Sequence, residues 1–189
     1  DLLGFGRREM QLTPEEVRDY ITYQVGALQG FAELFKVSLQ HVKPHGALYN
    51  TATKDEKLSK GIVGAVKALD RNLIVFSPPK SALAKVAVAA GLCVAHEVFA
   101  DRAYNADGSL VPRAQPKAII QEPLKVVERA VKMVTEGEVL AVNGETVSLD
   151  VVHTICVHGD TPSAVKLAEA LKKGLIKASI DVKPVGSFI

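Results

Sequence analysis

The side chains with the greatest chemical capacity fall in three short groups. The first is HVKPHGALYN, residues 41–50, where Lys43 and His45 flank Pro44 and are followed by Gly46, Tyr49 and Asn50. Proline and glycine fix the turn, so an ammonium and an imidazole two residues apart can face one pocket. Such a pair suits binding of a carboxylate and movement of a proton near neutral pH. The second is EVFADRAYNADGSLVPRAQP, residues 97–116, with Glu97, Asp101, Arg102, Tyr104 and Arg113. A guanidinium there can clamp a substrate carboxylate through two parallel hydrogen bonds. Glu97 ends an apolar run, where lost hydration favours its protonated form and suits it to general acid or base work. The third is His158-Gly159-Asp160: an imidazole, a glycine permitting close backbone approach, and a carboxylate that can cap the next helix or orient His158. Asp107-Gly108 reads as a simple turn, and His41, His96 and His153 as packing or edge histidines.

Each group must be placed by a backbone element, and the sequence marks these. Thr13-Pro14-Glu15-Glu16 opens a helix running to about Phe35, with Val17, Ile21, Val25, Leu28 and Ala32 as its buried stripe. Then follow a short strand at 39–43, a helix at 55–69, a strand at 73–76, a helix at 81–90 and a strand at 92–98. An irregular polar segment spans 99–116, longer than the ~12 to 15 residues at which structureless loops become uncommon and often functional. A helix at 123–136 precedes a hairpin, 139–142 with 146–149, around Asn143-Gly144. A strand at 154–157 and a helix at 162–178, capped by Asp160 or Thr161, end the pattern. Alternation of helix and strand with short connections predicts parallel strands, in an open doubly wound sheet or a (β/α) barrel. In both, chemistry gathers at the carboxyl ends of the strands, and there Lys43, His45, Tyr49, Asn50, Ser77, Glu97, Asp101, Arg102, Tyr104, His158 and Asp160 stand. They are expected to line one cavity.

Composition narrows the function classes. With 189 residues, 48% apolar and 23% charged, and a formal charge of +2, one domain with a sizeable core is expected, and neither nucleic acid nor a membrane surface is implied. The longest apolar stretch, 86–95, is about half of the ~20 residues a spanning helix needs. Cys93 and Cys156 lie in apolar runs and read as core filler in a reducing cytoplasm. There is no GxxxxGK[ST] phosphate loop, and Gly4 and Gly6 are followed by Arg7-Arg8-Glu9 without completing a dinucleotide fingerprint. HExxH, CxxC and GxSxG are also absent.

The blocks LLGFGRREM, YQVGALQGF, HVKPHGALYN, EVFADRAYNADGSLVPR and TICVHGDTP, in this order and spacing, resemble the signature blocks of the LamB/YcsF family. That resemblance implies a seven-stranded (β/α) barrel of the glycoside hydrolase/deacetylase type. It implies the A component of an ATP-dependent 5-oxoprolinase, which opens the lactam 5-oxo-L-proline to L-glutamate together with B and C subunits. ATP would be a co-substrate whose site lies on or is shared with those partners, and a homo-oligomer is compatible. His45, His158, Glu97 and Asp160 are the expected catalytic residues. Lys43, Asn50, Asp101, Arg102, Tyr104 and Arg113 are the expected substrate contacts, with any metal unassigned. Family members begin with further strands carrying DLNCD-, CGFHAGD- and AHPGYPD-like blocks, so N-terminal strands are expected to be missing from a chain starting at Asp1. Two alternatives stand beside this reading: a metal-dependent carbohydrate deacetylase, for which only His45 and His158 are placed as ligands, and a non-catalytic binding subunit.

Overall fold

The computed structural model describes residues 3–159 and 163–189. They form two compact units, one of residues up to His96 with Phe188 and Ile189, the other of Glu97–Ser187.

In the first unit α1 (Pro14–Leu34) begins as its sequence dictates. Glu16 N–H donates to Thr13 Oγ1 (3.2 Å) and Thr13 N–H to Glu16 Oε2 (2.8 Å), a reciprocal cap that satisfies two otherwise orphaned donors. The helix packs on α3 (Glu56–Leu69), burying Val17, Ile21 and Ala32, whereas Leu28 of the expected stripe is 57% exposed. Helical period gives the direction of a face, and the neighbouring element decides how much of it is covered.

The strands β1 (His41–Val42), β2 (Ile74–Ser77) and the first half of β3 (Val94–Phe99) pair in parallel, β1 with β2 and β2 with β3. All four residues of β2 are buried, as expected of a strand covered on both faces. Between β1 and α3 lies a short helix, α2 (Ala47–Ala52), that the sequence pattern did not announce. After β2 comes α4 (Ala82–Ala89), capped by Ser81, whose Oγ accepts from Ala84 N–H at 3.0 Å. Ser77, expected just beyond its strand, is the last residue of β2, fully buried, with its Oγ 2.7 Å from that of Ser81. It serves the cap of α4. Cys93 corrects the core-filler reading: it is exposed, because it precedes β3 between the inward-facing Leu92 and Val94.

In the second unit the later half of β3 pairs in parallel with β6 (Thr154–Cys156). The segment after β3 is folded back on itself by isolated antiparallel bridges, Arg102 with Ile119 and Tyr104 with Leu110. Then come α5 (Pro123–Glu136), the hairpin β4 (Glu138–Leu140) and β5 (Thr146–Ser148), and, after β6, α6 (Ala164–Lys177). Helices α5 and α6 pack together, and Val98, Val126, Ala130, Met133, Leu167 and Leu171 form the core beneath. Ser163 holds the N-cap position of α6, and the expected caps Asp160 and Thr161 lie outside the described residues. The architecture is therefore α/β with parallel strand pairing. No helix among the described residues is long and apolar enough to cross a membrane.

Candidate functional site

The first unit carries Lys43, His45 and Asn50 on the turn after β1. Gly46 lets this turn form. Its φ is +63°, and a Cβ there would overlap the Gly6 carbonyl oxygen, which also accepts from Ala47 N–H at 2.7 Å. The turn at residues 4–7 is thereby laid against His45. The imidazole pKa is lowered from 6.5, first by partial loss of hydration and then by the Arg7 guanidinium, with Lys43 adding to it, while a hydrogen bond to the Phe5 backbone opposes. His45 is thus kept neutral with one ring nitrogen engaged. Lys43 is exposed, its Nζ 5.6 Å from the Tyr49 ring centroid. Tyr49 itself is buried. Asn50 is exposed and lines an open depression with Lys54, Lys57 and Lys60.

The second unit carries the remaining described candidates, and strand register explains their meeting. In β3 and β6 Phe99 pairs with Cys156. Two residues further along each strand direction come Asp101 and His158, and His158 Nδ1 lies 2.9 Å from Asp101 Oδ2. A carboxylate accepts, so Nδ1 carries the proton and Nε2 is left as the basic nitrogen. The imidazole also stacks on Phe99, centroids 5.8 Å apart. Glu97 and Asp101 are 3% and 5% exposed, and Asp101 Oδ1 is buried with no hydrogen-bond partner among the described residues.

Arg102 points into its own loop. It is 6% exposed and donates from Nη2 to Val111 O (2.7 Å) and from Nε to Ala118 O (3.4 Å). Burial lowers its pKa, the nearby Arg113 charge lowers it further, and Asp101 opposes both. Buried Tyr104 accepts Phe99 N–H at 2.9 Å, and burial pushes its pKa far up, so it stays neutral. Both side chains act on the loop in this structure, in contrast to the substrate contact expected of them. Arg113 is exposed, and Asp160 lies outside the described residues.

Sequence reasoning missed Arg129. From α5 its Nε reaches Ala100 O (3.2 Å) and its Nη2 reaches Arg102 O (2.9 Å). Nothing in the helix pattern marks it, because one charged residue in an amphipathic helix normally reads as solvated.

The sequence model of the LamB/YcsF family matches residues 1–189. The chain belongs to the LamB/YcsF family. Among its relatives, a protein from Pyrococcus abyssi named as the A component of 5-oxoprolinase is 51% identical over 189 residues, which cover 100% of this chain and 74% of that one. One named in the same way from Coprothermobacter proteolyticus is 53% identical over 182 residues, covering 96% of this chain and 69% of that one. The crystal structure of a lactam utilization protein from Thermus thermophilus superposes with a TM-score of 0.89 at 42% identity, covering 97% of this chain and 72% of that one. In this LamB/YcsF chain the Asp101–His158 pair follows the ends of two parallel strands, where such sheets place their chemistry.

Proposed function

We infer that this chain works as the A component of a 5-oxoprolinase and contributes the hydrolytic half of lactam ring opening. The reading is supported by about half-identity along the whole chain to proteins that carry this name. The observation that carries the chemistry is the 2.9 Å contact of His158 with Asp101. An imidazole whose Nδ1–H is held by a buried carboxylate presents Nε2 as a general base. Its task is to take a proton from water as the water oxygen adds to the lactam carbon. Collapse of that adduct breaks the ring C–N bond and gives the amine and carboxylate of glutamate.

An amide is a poor electrophile. In this reading, ATP phosphorylates the lactam oxygen on or beside the B and C subunits, so that phosphate can leave. Lys43, exposed beside a neutral His45, would bind the substrate carboxylate. The family's barrel, seven-stranded in full, is proposed as the frame.

The test is steady-state glutamate formation in the assembly with partner subunits. His158→Ala and Asp101→Asn should lower kcat by about 10² to 10⁴-fold, the usual worth of general-base help. His158→Ala should leave the melting temperature nearly unchanged. Lys43→Ala should mainly raise KM, the mark of lost uniform binding. Near-normal turnover in His158→Ala would remove the base.

A further inference from the structure

Asp101 sits in the turn after β3, where no regular ladder holds the backbone. Its Oδ1 makes no hydrogen bond among the described residues, so the carboxylate is aimed by its backbone and not by a second side-chain contact. Three successive carbonyls there are nevertheless engaged. Asp101 O accepts from Ile120 N–H at 2.8 Å, while Ala100 O and Arg102 O, one on each side, accept from Nε and Nη2 of Arg129 at 3.2 and 2.9 Å. A single planar guanidinium therefore spans the residue whose Oδ2 meets His158. The rigid fork of Arg suits this, since two donors in one plane fix two acceptors relative to each other. The arrangement sits in partial burial, which draws the Arg129 pKa down against the opposing charges of Tyr104 and Asp101. A cation withdrawn from water to hold two neutral carbonyls is an expensive way to stabilise a loop. It is an effective way to fix one.

We propose that Arg129 is a positioning residue: by clamping the carbonyls on both sides of Asp101 it aims Oδ2 at His158 Nδ1 and so holds the imidazole in its Nδ1-protonated tautomer. This rests on the reading of His158 as the base, and the test separates the two. The tautomer is read on the chain alone from ring nitrogen shifts in selectively ¹⁵N-labelled protein, for wild type, Arg129→Ala and Arg129→Lys. Thermal melts control for folding. Kinetics are measured in the assembly with partner subunits.

Wild type should show the Nδ1–H form. Arg129→Ala should show a mixture, and guanidinium added at non-denaturing concentration should restore part of the Nδ1–H form. Arg129→Lys, which keeps the charge without the fork, should fall between, and it serves if Arg129→Ala does not fold. The kcat of Arg129→Ala should drop by about ten- to a hundredfold, on the scale of a misplaced catalytic group. KM should stay within about twofold, since no ground-state contact is lost. An unchanged tautomer in both variants overturns the proposal. A changed tautomer with unchanged kcat upholds the positioning and removes His158 as the base.

Discussion

At the scale of single residues, two histidines are prepared differently for one kind of work. His158 is oriented by a carboxylate, whereas His45 is kept neutral by partial loss of hydration and by the positive charges of Arg7 and Lys43. A lowered folded pKa means that, between that value and 6.5, the unfolded chain binds more protons than the folded one. The stability linked to His45 is therefore complete above 6.5 and is lost as pH falls through the window below it. Arg7→Gln removes the largest charge acting against the imidazolium. The His45 titration followed by NMR should then move up toward 6.5 without reaching it, because the lost hydration remains. A midpoint unchanged in Arg7→Gln would show that the guanidinium does not act on the ring. Both partners of the Asp101–His158 pair could be singled out from the sequence as residues following strands. Their link could not, because it depends on the register of β3 against β6, which neither segment records. The nearer carboxylate, Asp160, was the natural expectation for the orienting role.

At the scale of elements, local chemistry was most legible where caps and period agreed. Helix α5 occupies 123–136 as its sequence predicts, and α1 starts at its capping box. The strands at 73–76 and 92–98 shifted toward their carboxyl ends, becoming Ile74–Ser77 and Val94–Phe99, because apolar runs do not mark where pairing starts. Helix α2 escaped notice since its six residues follow a glycine with no side-chain cap. Close packing was also invisible beforehand, and α3 offers a contrast to test it. A Cβ on Gly61 would overlap the Pro14 carbonyl oxygen at the start of α1, whereas one on Gly64 meets nothing within 4 Å. Gly64→Ala should raise stability by up to about 1 kcal/mol through helix propensity. Gly61→Ala should lower it by about 1–3 kcal/mol, as overpacking does. Chemical denaturation of both variants reads the sign directly, and equal effects would mean that the two helices do not cross at Gly61.

At the scale of the whole molecule, the question is how far this chain carries the reaction alone. The sequence contains no phosphate loop and no dinucleotide fingerprint, and the described turn after β1 presents cations suited to a carboxylate without a glycine-rich cradle of backbone N–H groups. Relatives at about half identity are named as one component of several, and the hydrolytic residues argued for here act after the lactam has been activated. Activation and hydrolysis would then be divided between polypeptides, and neither would turn over without the other. The purified chain, incubated with ATP and 5-oxoproline, should release no lactam-dependent ADP, and addition of partner subunits should start both ADP and glutamate formation together. Because phosphorylation precedes water attack in this scheme, His158→Ala in the assembly should slow glutamate formation by the factor argued above while leaving nucleotide binding to the partners intact. ADP release should then fall with glutamate if the phosphorylated lactam stays bound, or outrun it if that species escapes to bulk water. Lactam-dependent ATP hydrolysis by the isolated chain would place the nucleotide site here and overturn the division of labour.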